Sequence, residues 1–294
     1  MANTLITPSV IAREILDRLY ENTLMAQLVH RNYDGDFNGK VGDTITVRRP
    51  ATFTAAEFAR PGGIALQNAT EASFTVLLDK LPDVSFAVTS EELSLKVNDF
   101  SAQFLNPAAE AIAQYVDQKL LATLIAAGVS QTVGVDGTPS TNPTLLADAA
   151  KLLDDAKVPQ TERSAVLTTT VHTNYVKTDA FSNADKSGGT EALREAKLGR
   201  VYGLDIYKST NMPTTSTFPG DSIVFHRTAA ALVTRTLETP MGLAPSQVAT
   251  VNYKGLGLRV VQSYDVNQKQ DVVSVDMLCG FKLLDAVRAV RVLG

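Results

Sequence analysis

Apolar side chains recur at helical spacing over one long stretch of the chain, residues 106–127. Asn106 is a favoured N-cap residue, Pro107 suits the first helical position, and Gly128 supplies a stop signal. The apolar positions form one stripe: Ala109, Ile112, Ala113, Val116, Leu120 and Leu124. The opposite side is mostly polar and carries Glu110, Gln114, Asp117 and Gln118. The pattern predicts a half-buried helix of about 33 Å that organises the other elements, although an ordinary core helix would show the same spacing.

The first 40 residues predict an arm. A helical pattern follows Thr7-Pro8-Ser9 and ends in a polar, glycine-containing stretch at residues 32–39. A short amphipathic helix at a terminus needs another surface to cover its apolar stripe. That surface belongs either to the same chain or to a neighbouring subunit, and the pattern leaves both interpretations open.

Residues 40–50 alternate between apolar and polar positions, and Pro50 ends the predicted strand. A second alternating run covers residues 72–78. Two strands alone are only marginally stable in water, so this ribbon is expected to gain its order by packing on something else. It is either an extended loop that overlaps a neighbouring subunit or a hairpin folded back on its own domain.

The first strand and the loop that follows it carry the candidate interface residues. They are Arg48, Arg49, Phe53, Glu57, Phe58 and Arg60. The arginines could pair with acidic residues such as Glu57 across a subunit boundary, and a solvated loop is the other interpretation.

The rest of the chain predicts an inserted region of mixed structure. A strand at 84–88 and a short helix at 90–97 precede the long helix, and residues 128–143 predict a loop or hairpin after it. Helices are then predicted at 145–156, 173–178, 191–197 and 229–233, interleaved with strands at 165–169, 205–208 and 222–225. Strand-like patterns return at 248–253, 258–264, 272–277 and 286–293, and are expected to pack against the long helix. This order predicts an α+β or α/β layer inserted between the helix and its covering strands.

The composition indicates a folded protein without a nucleic-acid or membrane signature. The 294 residues are 45% hydrophobic and carry a formal net charge of -4, whereas proteins that bind phosphates concentrate cations on one face. No apolar run approaches the roughly 20 residues that span a bilayer, and the first residues lack the pattern of a secretion signal. The single cysteine, Cys279, has apolar neighbours and is expected to be buried, in a reducing compartment. We therefore expect a soluble, intracellular product.

No constellation for catalysis or metal binding stands out. The histidines are far apart and lack metal-ligand spacing: His30, His172 and His226. The chain has no phosphate-loop or nucleophile-elbow motif, and residues 255–257 fit a strand bend or bulge better than a dinucleotide loop. His172 could lie near Tyr175 and Asp179 on a helix, but nothing places a base beside a nucleophile. We predict no enzyme, no cofactor and no metal.

Three stretches near the start resemble the major capsid proteins of tailed bacteriophages. They are residues 1–14 (MANTLITPSVIARE), 25–31 (MAQLVHR) and 40–53 (KVGDTITVRRPATF). They look like the coat-protein family of short-tailed Salmonella phages and its relatives. The resemblance covers about the first 125 residues, and beyond them the order of elements and residues 271–281 (DVVSVDMLCGF) carry it.

The resemblance implies an α+β Hong Kong 97-type capsid fold. It divides the chain into an N-terminal arm at 1–40, an extended β loop at 41–83, a peripheral domain with a long spine helix at 84–128 and 251–294, and an inserted axial domain at 129–250. The Salmonella-phage relatives carry an additional inserted domain, for which this shorter chain is expected to lack space. A separate scaffolding protein is also expected.

The implied function is that of a major capsid protein, which self-assembles as hexamers and pentamers into an icosahedral head. The head would enclose double-stranded DNA without sequence-specific binding, which is compatible with the near-neutral charge. Expected partners are the protein itself, a scaffolding protein, a portal and a decoration protein, with no membrane. The location would be the virion capsid, after assembly in the host cytoplasm. The alternatives are an encapsulin-like nanocompartment of the same fold, filled with protein cargo, and an intracellular α/β enzyme with polar groups clustered around His172 or His226.

Overall fold

The computed structural model describes residues 13, 15, 23–31, 44–49, 53, 55, 57, 72–89, 106–126, 131–135, 137, 139–182, 198–213, 220–240, 247–253 and 256–293. Its helices are α1 (Met25–Leu28), α2 (Asn106–Ile125), α3 (Thr144–Asp155), α4 (Thr169–Lys177) and α5 (Asp179–Ser182). Its first strands are β1 (Thr44–Arg49), β2 (Ala72–Leu77), β3 (Asp83–Thr89), β4 (Gln131–Gly134), β5 (Arg163–Leu167), β6 (Arg200–Val201) and β7 (Leu204–Lys208). The later strands are β8 (Ser222–His226), β9 (Ala230–Arg235), β10 (Val248–Tyr253), β11 (Leu256–Asp265), β12 (Gln270–Asp276), β13 (Leu278–Leu283) and β14 (Ala289–Leu293). The helices predicted at 90–97 and 191–197 lie outside the described residues.

The predicted long helix is α2, called the spine helix below. It has 20 residues, which corresponds to about 30 Å at 1.5 Å per residue. Every residue of the predicted apolar stripe is buried, and Leu121 and Ile125 are buried with it. Glu110, Gln114 and Gln118 on the opposite side are exposed. The prediction of a long, half-buried helix is therefore confirmed.

Asp117 departs from this pattern. It was expected among the polar residues of the helix, but only 2% of its surface is exposed. Ala113 and Leu121, one turn away on either side, are also buried, and residues four apart lie on the same helix face. Asp117 therefore lies within the apolar face, where a carboxylate needs specific hydrogen-bond partners.

An antiparallel sheet with the strand order β10-β11-β12-β3 packs against the spine helix. Its buried side chains belong to the same hydrophobic cluster as the helix: Leu258, Val260, Val273 and Val275. Strands β9 and β13 form a separate antiparallel pair, which adds Leu232 and Cys279 to this cluster. The expectation that the late strands pack on the long helix is confirmed for β11 and β12. Strand β14 instead joins the six-stranded sheet and packs mainly in the core that α3 covers. The predicted burial of Cys279 is confirmed.

A six-stranded sheet has the order β4-β14-β8-β5-β7-β6, with β14 parallel to β4 and β5 parallel to β7. Helices α3 and α4 cover one face, where Leu153 and Tyr175 pack with Leu167 and Val224. On the other face, the spine-helix cluster takes in Val166, Ile223 and Phe225. Because alternate residues of a strand point to opposite faces, every residue of β5 and β8 is buried. This explains why each strand contains three consecutive apolar residues, at 165–167 and 223–225, instead of alternating ones.

The helix predicted at 229–233 is wrong. A 3-10 turn, Arg227–Ala229, leads there into strand β9. The alanines of this stretch favour a helix, but helix propensity is weak and tertiary contacts override it. Strand β9 pairs with β13 along its whole length, and its first five residues are all buried. Three further strands have no counterpart in the prediction: β4, in a segment expected to be a loop or hairpin, the short β6, and β13.

The domain boundaries at 128/129 and 250/251 remain a prediction. Two strands show which sheet the residues near these boundaries and at the end of the chain belong to. Strand β10 begins at Val248 and belongs to the four-stranded sheet. Strand β14, near the end of the chain, pairs with β8 in the six-stranded sheet.

The spine helix should respond strongly to loss of volume on its buried face. Leu120 is fully buried, so Leu120→Ala is expected to lower the free energy of unfolding by about 2–5 kcal/mol through lost apolar burial and a residual cavity. Urea denaturation followed by circular dichroism measures this. Gln118→Ala, an exposed position on the same helix, is the control and should change stability by less than about 0.5 kcal/mol. Equal effects of the two variants would contradict the assignment of the buried face.

Candidate assembly surfaces

Strands β1 and β2 form an antiparallel two-stranded ribbon, as the alternating patterns predicted. The register runs from Thr44 opposite Leu77 to Arg49 opposite Ala72. Within the described residues, neither strand pairs with a third strand. Thr44 and Ser73 are exposed, and 41% of the Leu77 surface is exposed as well. A ribbon of this kind depends for its order on what it contacts.

The base of the ribbon is fixed to the body of the chain. A small hydrophobic cluster joins β2 and the residue after it to β9 and β13, through Val76, Leu78, Val233 and Leu278. The backbone N–H of Lys80 donates to the carbonyl of Cys279 at 3.0 Å, and the N–H of Cys279 donates to the carbonyl of Lys80 at 2.9 Å. Apolar packing and backbone hydrogen bonds thus hold the base.

Gly280 allows the ribbon base and β13 to approach closely. A Cβ atom added at this position would lie 2.2 Å from the carbonyl oxygen of Leu77. The opposing atom belongs to the backbone and cannot rotate away as a side chain would. The contact therefore requires a residue without a side chain at position 280.

The structure describes part of the predicted interface set. Arg48 and Arg49 are the last two residues of β1. Phe53 is 65% exposed and Glu57 is also exposed, both in the segment between the two strands. The other two candidates lie outside the described residues: Phe58 and Arg60. An exposed phenylalanine near the far end of the ribbon presents apolar surface that a neighbouring molecule could cover. The participation of all six residues in subunit contacts remains a prediction.

Residues 23–31, in the predicted arm, pack against the rest of the same chain. Three of them are fully buried in the spine-helix cluster: Met25, Ala26 and Val29. The N–H of His30 donates to the carbonyl of Ala230 at 3.1 Å, and the N–H of Leu232 donates to the carbonyl of His30 at 3.0 Å. For these residues, the covering surface belongs to the chain itself.

Asp117 joins this segment to the spine helix. The N–H groups of Leu24 and Met25 donate to its Oδ2 and Oδ1 atoms at 3.3 and 3.1 Å, and the side chain of Asn211 is a third partner. Burial raises the pKa of Asp117 to about 6, and the three hydrogen bonds act in the opposite direction. The sequence reasoning missed this site, although the apolar residues one turn before and after Asp117 were a usable signal.

The groups that suggested chemistry have structural roles. The Tyr175 hydroxyl lies 2.9 Å from Ser140 Oγ, in the core beneath the six-stranded sheet. Burial lowers the pKa of His172 and His226, and His226 Nδ1 lies 2.8 Å from Thr228 Oγ1. Burial raises the pKa of the Cys279 thiol to about 12, so it stays protonated and is a poor nucleophile.

The described part of the chain contains neither a metal-binding cluster nor a membrane-spanning helix. No group of three or more His, Cys, Asp or Glu residues there is arranged to hold a metal ion. None of the helices described is both long enough and apolar enough to cross a membrane.

Gly257 lies within strand β11, where an added Cβ would be 2.5 Å from the backbone nitrogen of Thr236. This close backbone approach, rather than a dinucleotide loop, gives the glycine its role.

A sequence model of a protein family described as phage capsid protein matches residues 85–287, more than half of the chain. The chain belongs to this family. The matched range contains the spine helix, the four-stranded sheet and most of the six-stranded sheet. No curated protein shows significant sequence similarity to the chain.

Solved structures share the fold of this phage capsid protein. One from Mycobacterium phage Che8 has a TM-score of 0.73 at 20% identity, over 92% of this chain and 90% of its own. The capsid structure of cyanophage P-SCSP1u gives 0.66 at 17% identity, over 90% and 86%. The mature capsid of bacteriophage PhiM1 gives 0.60 at 15% identity, over 85% and 81%. The predicted α+β capsid fold is therefore confirmed.

Family and fold together assign the role of a major capsid protein, which is structural rather than enzymatic. For a capsid protein, the functional sites are the surfaces that meet other subunits. The described features most relevant to that task are the ribbon with its fixed base and the N-terminal segment anchored at Asp117.

The close contact at Gly280 gives a direct test of the ribbon anchor. Gly280→Ala is expected to push the Leu77 backbone away and lower the free energy of unfolding by about 1–3 kcal/mol, because the added methyl group has no space. Hydrogen exchange should show faster exchange of the amides of β2. Lys282→Ala, at an exposed position of the same strand, is the control. Unchanged stability and exchange in Gly280→Ala would show that the anchor is not as tight as described.

Proposed function

We propose that this capsid protein assembles as hexamers and pentamers into the icosahedral head that encloses the double-stranded DNA genome of a tailed phage. The proposal includes the division into an N-terminal arm, an extended loop, a peripheral domain and an inserted axial domain. It also includes closer kinship with the coat proteins of short-tailed Salmonella phages, and assembly in the host cytoplasm before the protein resides in the virion.

The observation that carries the proposal is the ribbon of β1 and β2. Its base is held by Val76 and Leu78 in the core, while the segment between its two strands carries an exposed Phe53. Within the described residues, its outer strand edges have no partner strand. A long edge of this kind is an aggregation hazard in a monomer, whereas an assembly can use it as a contact surface.

A shell protein needs contacts that are individually weak and collectively strong. A contact of about 4 kcal/mol corresponds to dissociation in the millimolar range, so a wrongly placed subunit can leave again. Several such contacts made simultaneously hold a subunit firmly, because each later contact forms at high effective concentration. Rings of identical head-to-tail contacts are how such subunits form hexamers and pentamers.

The expected partners follow from this role. Copies of the chain itself come first, together with a separate scaffolding protein, a portal and a decoration protein. The genome would be enclosed without sequence-specific contacts. The formal net charge of -4 favours loose enclosure of the genome, because a strongly basic inner surface would bind phosphates tightly.

Electron microscopy and light scattering test the proposal on the chain expressed alone and then with its neighbouring genes. Closed shells, tubes or hexamer sheets are the expected products, and DNA inside the co-expressed particles is expected. Shells filled with protein and no DNA would instead indicate a nanocompartment. A monomer that persists in both preparations would contradict the shell function.

The six candidate interface residues can be tested through Phe53. Phe53→Ser is expected to reduce the yield of closed particles at least about tenfold, because it removes an apolar side chain that a neighbour would bury, worth about 1.5–3 kcal/mol. Its exposed position predicts unchanged stability of the isolated subunit. Ala55→Ser, an exposed neighbour in the same segment, is the matched control. Normal assembly of Phe53→Ser would remove this residue from the interface set.

A further inference from the structure

Three separate segments of the chain meet at the Asp117 carboxylate. The spine helix supplies the carboxylate, the start of α1 supplies two backbone N–H groups, and the loop after β7 supplies Asn211. Each carboxylate oxygen has its own backbone donor, Leu24 for Oδ2 and Met25 for Oδ1. An amide in the same place would offer one acceptor and turn an N–H donor toward the other backbone N–H. The geometry therefore favours a carboxylate over its uncharged analogue.

This junction is one of the contacts that hold residues 23–31. Another is the backbone pairing between His30 and β9. Further upstream, Ile15 is also buried and belongs to the spine-helix cluster. Ile15 and residues 23–31 are therefore both held in the core around the spine helix.

We propose that Asp117 is a positioning residue for shell assembly, because it fixes the N-terminal segment at residues 23–31 against the spine helix. This rests on the proposed function, since the position of the segment has a consequence for assembly only when subunits join. A closed shell repeats each subunit contact many times, so an error in the path of this segment would be repeated at every copy. A carboxylate that only completed the fold would change stability and leave the shells unaltered.

The surroundings of Asp117 also define how the junction depends on pH. Among the described residues, no charged side chain contributes to the shift of the Asp117 pKa. This holds for the spine helix, for the segment around α1 and for the loop at Asn211. Desolvation raises the pKa from its ordinary value of 3.8 to about 6, against the hydrogen bonds from Met25, Leu24 and Asn211. The hydrogen bonds favour the carboxylate, but desolvation outweighs them, so the carboxyl of the folded state stays protonated up to about pH 6 and is ionised at neutral pH. Its contribution to stability is complete below about pH 4, falls as the pH rises toward 6, and stays constant above that.

The pH profile is the first test. Asp117→Asn removes the titration, so the wild type should lose stability relative to this variant between about pH 4 and about pH 6, by roughly thirtyfold in the folding equilibrium constant. Urea denaturation at several pH values measures the difference between the two proteins. Glu110→Gln, at an exposed position of the same helix, is the control and should track the wild type. A constant difference between wild type and Asp117→Asn across this range would contradict a buried, titrating Asp117.

Assembly is the second and deciding test. Near neutral pH, Asp117→Asn should stay folded, while the amide of Leu24 or Met25 exchanges about tenfold faster or more, because one acceptor is lost. Electron microscopy of the same preparation should show several-fold fewer closed shells, or a wider spread of diameters, than for the wild type and Glu110→Gln. Asp117→Leu removes both acceptors and should have a larger effect. If Asp117→Leu does not fold, Asp117→Asn still decides the question.

The possible outcomes separate the positioning role from the proposed function. Wild-type shells together with defective Asp117→Asn shells support the positioning role. Normal shells from Asp117→Asn, in wild-type yield, would overturn it and leave the proposed function standing. Unchanged amide exchange at both Leu24 and Met25 in that variant would overturn it as well. Failure of the wild-type chain itself to form shells would overturn the proposed function and the positioning role together.

Discussion

Burial of one broad face of the spine helix is the constraint on which the rest of the described structure depends. The residues that cover this face come from four places: the segment at 23–31, the four-stranded sheet, the β9–β13 pair and one face of the six-stranded sheet. Each of these parts is small, and each would expose apolar surface if the helix were absent. One hydrophobic cluster thus connects segments from both ends of the chain. The two sides of the six-stranded sheet extend this connection to α3 and α4.

This arrangement separates a body whose core is buried within one chain from a ribbon that the proposed assembly would cover. The body buries its core within one chain, including the apolar residues of α1. The ribbon is anchored at its base, and Phe53, Ala55 and Glu57 in the segment between its strands are exposed. A capsid subunit must be stable enough to persist alone and must still present surfaces whose burial favours association with other subunits. The anchored ribbon meets both demands, since its position is set by the body and its exposed part is available to a neighbour.

The sequence patterns predicted the elements whose spacing of apolar residues follows from burial. The stripe of the spine helix and the runs of β5 and β8 follow directly from burial on one face or on both. Strand β9 was mistaken for a helix because its alanines carry helix propensity, and only pairing with β13 makes it a strand. Asp117 was missed because its partners are backbone N–H groups some 90 residues earlier in the chain. Such contacts leave no local pattern, and the same is true of Arg48, Arg49 and the other interface candidates, whose partners would belong to another subunit.

Hydrogen exchange, compared between the unassembled subunit and the closed shell, tests this division most directly. In the unassembled subunit, the amides of the spine helix, β9 and β13 should already be the most protected of the chain, while those of β1 exchange rapidly. On assembly, the gain in protection should concentrate in β1, β2 and the loop between them, and the spine helix should change little. Full protection of the ribbon before assembly, or a gain spread mainly over the spine helix, would contradict a self-supporting body with a ribbon completed by its neighbours.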